Sequence, residues 1–476
     1  MQQPQAQPAE KFTEKFTDHA VNGVNPTEQT ADFVAAHRTE DVRQLALKAK
    51  RVEGLDLPLA LDQIAGWQIA CKKLPQWASC EGIIYPPHIS MEQCSSQFTA
   101  QYKSEIAQTL LTPAVTVRAR MSDSAESDNQ TTKSEPQLSN SGESDNCEVE
   151  MCLRMSDSPE SDTLVARSSM VDLTGGFGVD FSYLARGFSQ ATYVERQRHL
   201  CDLAEHNMAA LGLDQARIVC GDGVEYLRQM DPVDFIYLDP ARRDEHGSRT
   251  YAIEDCTPNV LELRDLLLAK SQCTLVKLSP MLDWRKAVAD FDGTVREVHI
   301  VATGNECKEL LLVLGQQVHE EPSAPRVFCV NDNQRIDYDS AAYTQGLRIG
   351  GKPLPEAKNY LYEPNASIMK AGCFDLVEER FGVTQVGPSS HLFVSATPVA
   401  DFPGRGFAIE AIGGMNKKDI KRLLNGTKQA NIAVRNFPLT APQLRKKLKL
   451  ADGGPVYLFG TTMQGCDHVL LRTSKI

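Results

Sequence analysis

Three early stretches repeat apolar residues at three- and four-residue spacing: "ADFVAAHRTEDVRQLALKAK" from 31, "PLALDQIAGWQIACKKL" from 58 and "SMEQCSSQFTAQYKSEIAQTL" from 90. That period predicts amphipathic helices and a helical domain over 31–118. From Met170 the pattern shortens to apolar runs of strand length, "MVDLTGG", "SQATYVE", "ARIVCGD", "VDFIYLD" and "CTLVKLS", with helical stretches between them. The alternation predicts an α/β fold with a doubly wound parallel sheet. The runs "VREVHIVAT" and "CKELLLVLG" then follow across a short turn containing Gly304-Asn305. They predict a hairpin and a sheet ending in an antiparallel strand. Residues 317–404, with "RVFCV" and "HLFVSA", read as a further small α/β piece. Residues 405–476 alternate again through "GFAIEAI", "KKDIKRLLNG", "NIAVRNF" and "APQLRKKLKL", and finish in a hairpin of "PVYLFGTT" and "HVLLRT".

Two stretches fall outside these periods. Residues 1–30 are polar and hold three prolines. Residues 119–168 are rich in Ser, Asp, Glu and Asn, with "RMSDSAESD" echoed by "RMSDSPESD". Both are expected to be disordered for lack of apolar surface, and one nine-residue echo is too little for a repeat fold.

A length of 476 residues suits about three domains. With 42% apolar and 24% charged residues the composition is that of a soluble protein, and no apolar run approaches a membrane span. A cytoplasmic protein is expected. The 13 cysteines form no C-x-x-C pair, which argues against structural zinc, iron–sulfur clusters and disulfides. The net charge of -12 is unevenly spread. Residues 120–167 carry eleven acids against four bases, and residues 414–476 carry twelve bases against three acids, a basic module on an acidic chain.

The candidate chemistry lies where the first four strands end. "VDLTGGFGVD", 171–180, joins the first strand to its helix. As a dinucleotide loop it lacks the last glycine of G-x-G-x-x-G, having Phe181 there, which weakens a nicotinamide oxidoreductase. As an S-adenosylmethionine loop it keeps the acid and two of three glycines: Asp172, then Thr174, Gly175, Gly176, Phe177 and Gly178. Glu195, beside Arg196, ends the second strand, where a carboxylate can accept both ribose hydroxyls. Asp222, beside Gly223, follows the third, where it can accept from an adenine amine. Asp239-Pro240 closes the fourth, and its carboxylate can accept N–H bonds from a base amine and orient it for attack on a sulfonium methyl.

The following Arg242 can stack under a base or hold a phosphate, as can Arg243 and Arg249. Pairing with nearby acids is the alternative. Lys277, in a central strand, either serves the pocket or satisfies a buried carboxylate. Ser279 stands where a covalent mechanism on a pyrimidine C5 would use a cysteine, which disfavours that reaction. Ser95 or Ser96 can cap the helix in "EQCSSQFTAQYK", whose position before the first strand also suits a flap over a cofactor.

The joint order of "EQCSSQFTAQYK", "VDLTGGFGVD", "YLDPARR", "GSRTYAIEDCTPN", "VKLSPMLD" and "GNECKELLLVLG" resembles the bacterial THUMP-like class I methyltransferase family. "YLYEPNASIMKAG" resembles the start of that family's ferredoxin-like piece, and "VRNFPLTAPQLRKKLKLADGGPVYLFGTT" its THUMP-like domain. The resemblance implies a class I methyltransferase domain over 169–316, S-adenosylmethionine as cofactor, and methylation of RNA held by the C-terminal module. Lys446 and Lys447 are candidate RNA contacts there. Relatives that methylate base amines carry N/D-P-P and an aromatic ring, whereas this chain has Asp-Pro-Ala-Arg. A non-catalytic RNA-binding protein retaining the fold is the competing expectation.

Overall fold

Phe235 and Tyr237 of the strand Val233–Leu238 belong to one buried apolar cluster, and Ile236 and Leu238 to another. A strand apolar on both faces needs a helical layer on each side. The computed structural model supplies both layers, and it describes residues 27–48, 53–111, 168–241, 253–316, 324–343, 358–465 and 467–476. The stretches expected to be disordered lie outside these, except that 27–30 open a helix, Glu28–His37, capped by the Thr27 side chain, and that Ser168 leads into the first strand.

The first sheet has nine strands: β1 Ser169–Asp172, β2 Gln190–Glu195, β3 Ala216–Cys220, β4 Val233–Leu238, β5 Ser271–Leu278, β6 Val295–Thr303, β7 Glu306–Gly315, β8 Arg326–Asn331 and β9 Gln334–Asp339. Their spatial order is β3-β2-β1-β4-β5-β7-β6-β8-β9. Strands β1 to β5 pair in parallel, and β7 lies antiparallel between β5 and β6. The hairpin is as expected, with Gly304 and Asn305 both at positive φ in its turn. The sheet does not end there, however. β8 adds in parallel to β6, and β9 folds back on β8. "RVFCV" therefore belongs to the first sheet and not to the piece expected from 317: the open ladder of β6 needs a partner, and local pattern does not say which strand supplies it.

The N-terminal helices share their core with the sheet. Trp77, Met91, Tyr102 and Ile106 lie in one buried cluster with Phe181, Tyr193, Phe235 and Tyr237. Trp77 donates from Nε1 to Ser182 Oγ at 3.1 Å, and Asn207 bonds both backbone groups of Ile84. Only Val34, Leu45, Ala60 and Ile64 make a separate small cluster. The run from 90 to 110 is two helices, His88–Gln93 and Gln97–Leu111, broken at Cys94 to Ser96. Ser96 Oγ accepts from Thr99 N at 3.2 Å, the expected cap.

The second sheet has seven strands: β10 Tyr360–Pro364, β11 Thr384–Gln385, β12 Phe393–Ser395, β13 Gly404–Gly413, β14 Asn431–Arg435, β15 Val456–Thr462 and β16 His468–Lys475, in the order β11-β12-β10-β13-β16-β15-β14. The helices Lys417–Leu424 and Ala441–Leu448 pack Leu423, Leu444 and Leu448 against Leu458 and Leu470. No helix of the described residues is long and apolar enough to cross a membrane.

Candidate active site

The ends of β1 to β4 surround one cleft of about 610 Å³. Thr174, Gly176, Phe177, Glu195, Arg196, Asp222, Gly223 and Asp239 line it. Residues far apart in the chain meet because parallel strands deliver their carboxyl ends to one edge. Ser90, Gln93 and Cys94 of the N-terminal helices form part of the same wall, as do Thr257, Pro258, Asn259 and Glu262.

The loop after β1 is held from several sides. A side chain at Gly175 would meet the Tyr193 ring at 2.3 Å, and one at Gly223 would meet the Leu173 carbonyl oxygen at 2.2 Å. Both positions therefore demand glycine for close approach. Glu195 Oε2 accepts from Gly176 N at 3.0 Å and Oε1 from Gln197 N at 2.9 Å, so its carboxylate is fixed at the loop with lone pairs to spare. Phe177 packs on Trp77, their ring centroids 5.1 Å apart. Gly178 starts the helix Val179–Leu184.

Thr174, which stands where the cofactor pattern has its first glycine, has a bridging task. Its hydroxyl accepts from Asp239 N at 2.7 Å and lies 3.3 Å from Asp172 Oδ1, tying the end of β1 to the end of β4. Asp172 itself does not line the cleft; it is buried behind the loop, 1% exposed, and also accepts from Thr174 N. Burial pushes its carboxyl up to about 8, against the hydrogen bonds from Thr174. Asp222 Oδ1 caps the helix Gly223–Gln229 by accepting from Val224 N and Glu225 N. That leaves Oδ2 for another partner.

Asp239 is the cleft's link to a buried ionic cluster. Its Oδ2 accepts from Lys277 Nζ at 2.6 Å, and its side chain is 35% exposed. Lys277 thus satisfies a carboxylate of the cleft from behind, without lining the cleft itself. Burial opposes its charge, but Asp239, Asp180 and Glu309 outweigh that and raise its pKa. Pro240 is buried, and Ala241 then bonds Thr257 through both backbone groups. Arg242, Arg243 and Arg249 lie outside the described residues. Lys446 and Lys447 are exposed on the helix Ala441–Leu448, in the second sheet's layer.

Sequence reasoning missed Lys103, Asp180 and Glu309 and read Ser95 only as a helix cap; Ser95, Asp180 and Glu309 lie beside Lys277, and Lys103 shares all three. A signal existed. Lys103 sits at helical spacing with buried Ala100 and Ala107, and Glu309 starts an apolar strand run, so each charge occupied a core position that requires a partner. Among the described residues no group of three or more His, Cys, Asp and Glu side chains could hold a metal ion.

Residues 360–403 match a ferredoxin-like domain family and residues 404–475 a THUMP domain-like family. Over the whole length, the chain is similar to the crystal structure of a candidate methyltransferase from Porphyromonas gingivalis W83, with 29% identity, 94% of this chain and 97% of that chain covered, and a TM-score of 0.72. A SAM-dependent methyltransferase from Agrobacterium tumefaciens covers 32% of this chain and 56% of its own at 18% identity and a TM-score of 0.25. An rRNA methylase from Streptococcus thermophilus covers 32% and 88% at 15% identity and a TM-score of 0.24. Scores this low bear on neither activity nor substrate. No curated protein matches the chain. Fold and cleft define a class I methyltransferase architecture. To that architecture the chain adds a C-terminal part in which a stretch similar to a ferredoxin-like domain precedes one similar to a THUMP domain.

Proposed function

We propose that the chain is an S-adenosylmethionine-dependent RNA methyltransferase acting on an exocyclic or ring nitrogen of a base in tRNA or rRNA. The observation that carries this reading is the convergence of the glycine loop, Glu195, Asp222 and Asp239 on one cleft. The residues fit the cofactor: Glu195, fixed by Gly176 and Gln197, keeps lone pairs at the cleft, and Asp222 keeps one oxygen for a donor. When bound, S-adenosylmethionine supplies an electrophilic methyl group. Glu195 is assigned to the ribose hydroxyls and Asp222 to the adenine amine.

Asp239 works on the substrate. With Oδ2 anchored by Lys277, Oδ1 is the oxygen that accepts the N–H of the target amine, which aligns the nitrogen lone pair and stabilises its developing positive charge. Its task is orientation and charge stabilisation. The THUMP-like module, with exposed Lys417, Lys418, Lys421, Lys446, Lys447 and Lys449, is assigned to RNA.

Calorimetry with S-adenosylmethionine, followed by mass spectrometry of nucleosides from tRNA and rRNA of a deletion strain, tests the reading. A chain that binds no cofactor is a non-catalytic RNA-binding protein instead. Asp239→Ala is expected to bind cofactor and RNA normally and to lose single-turnover methyl transfer by about 100-fold or more, because the interaction acts at the transition state. Asp239→Asn is expected to lose less, since an amide oxygen still accepts one hydrogen bond. A folded alanine variant with normal turnover removes Asp239 from the mechanism.

A further inference from the structure

Five charged groups from five elements meet beside the cleft. Lys103 comes from the helix Gln97–Leu111, Asp180 from Val179–Leu184, Asp239 from the end of β4, Lys277 from β5 and Glu309 from β7. Lys103 is fully buried and lies 2.6 Å from Glu309 Oε2, 3.1 Å from Asp180 Oδ1 and 3.2 Å from Ser95 Oγ. Lys103 thus donates to Glu309 and Ser95, and it faces Asp180 Oδ1 as an ion pair without a hydrogen bond. Lys277 Nζ lies 2.6 Å from Asp239, 3.3 Å from Ser95 Oγ, 3.6 Å from Asp180 and 3.9 Å from Glu309. Ser95 stands between both ammoniums and both buried carboxylates, its hydroxyl 2.8 Å from Asp180 Oδ2 and 3.1 Å from Glu309 Oε1. Tyr237 donates to Asp180 at 2.7 Å. Burial would raise the Asp180 carboxyl, yet Lys103 and Lys277 bring it down to about 2.

We propose that Lys103 and Ser95 are positioning residues of the methyl-transfer site, through which the N-terminal helices hold the Lys277–Asp239 pair in place. The inference rests on Asp239 acting as proposed above. Its physical basis is charge balance in a low dielectric. With Lys103 present, two cations serve three carboxylates, and Lys277 is left for Asp239. Without Lys103, Lys277 faces three carboxylates alone. Asp180 and Glu309 are 11% and 5% exposed, whereas Asp239 is 35% exposed. An unpaired charge costs most where water is absent, so Lys277 moves toward the two buried acids and releases Asp239. Asp239, beside Asp172 and Tyr237 and in the cluster that holds Asp180 and Glu309, is then without its cation, and its proton affinity rises. The break between the two helices at Cys94 to Ser96 brings Ser95 into this cluster while Cys94 lines the cleft. One short segment therefore both walls the site and orders its charge.

The test uses the full chain in four forms: wild type, Lys103→Met, Glu309→Gln and the double variant. Methyl transfer from S-adenosylmethionine into RNA of the deletion strain is followed against pH, with S-adenosylhomocysteine affinity and melting temperature on the same preparations. Lys103→Met is expected to lose about tenfold or more in turnover and to shift the acid limb of its pH profile upward, with S-adenosylhomocysteine affinity retained. The double variant removes one charge of each sign, so one buried carboxylate fewer competes with Asp239 for Lys277, and it is expected to recover part of the lost rate and of the pH shift even where it melts below wild type. A double variant no faster than Lys103→Met, or rates that simply follow melting temperature, overturns the proposal. A crystal structure of Lys103→Met gives a reading independent of any RNA. Lys277 Nζ is expected to leave Asp239 for Glu309, and its staying at 2.6 Å overturns the inference. A wild type that methylates no RNA, with Lys277 moving as expected, overturns the proposed function and leaves the charge coupling standing.

Discussion

Burial raises the carboxyl of Asp172 to about 8 from an ordinary value of 3.8, with Asp180 and Asp239 adding to the effect and the Thr174 hydrogen bonds opposing it. Between those two values the folded chain holds a proton that the unfolded chain has released. Stability from this group is therefore complete below the lower value, falls as pH rises through the window, and levels off above it. Asp172→Asn is expected to remove that slope, so that the variant's melting temperature gains on wild type between about pH 5 and about pH 8. A difference between the two proteins that stays constant with pH overturns this. At this scale the identity of the four strand-end acids was legible in the sequence, but their state was not. Asp222 was read as a cofactor ligand and is also the cap of its helix, while Asp172 lies behind the loop that it was expected to line.

The helix Gly223–Gln229 shapes one wall of the cleft through its contact with the chain leaving β1. A methyl group at Gly223 meets the Leu173 carbonyl oxygen at 2.2 Å, whereas one at Gly221 meets nothing within 4 Å. Gly223→Ala is expected to cost about 1–3 kcal/mol and to weaken S-adenosylmethionine binding, because the helix must move away from β1. Gly221→Ala is the control and is expected to melt close to wild type. Equal melting curves for the two variants overturn the close-contact argument. Periodicity identified nearly every strand of the first sheet, and turn chemistry identified its hairpin. It did not identify the destination of "RVFCV", because an apolar run that suits one open edge suits another equally well.

Across the whole molecule, charge separates two tasks: an acidic chain carries a basic module at its C-terminal end. Lys446, Lys447 and Lys449 are exposed and point away from the buried Leu444 and Leu448. Replacing all three with Glu is expected to weaken RNA binding and to lower the slope of log affinity against log salt by about 0.7–0.9 for each phosphate that is no longer neutralised, with S-adenosylmethionine affinity unchanged. A slope equal to wild type makes these lysines a solvated helix face. Deleting residues 121–162, which hold little apolar surface, is expected to leave melting temperature and methyl transfer near wild type. Aggregation or inactivity of the shortened chain overturns that expectation.

The sequence by itself determined the α/β class, the loop after β1 and the acids at four successive strand ends, because these depend on local period and on strand ends meeting at one edge. The tertiary structure decided what those acids are bonded to. It put the N-terminal helices into the same core as the sheet, set Lys103 and Ser95 beside Lys277, and gave Asp239 its partner. The reason is physical. Hydrophobic period is written along the chain, whereas the pairing of buried charges is settled only when elements distant in sequence exclude water from a shared space.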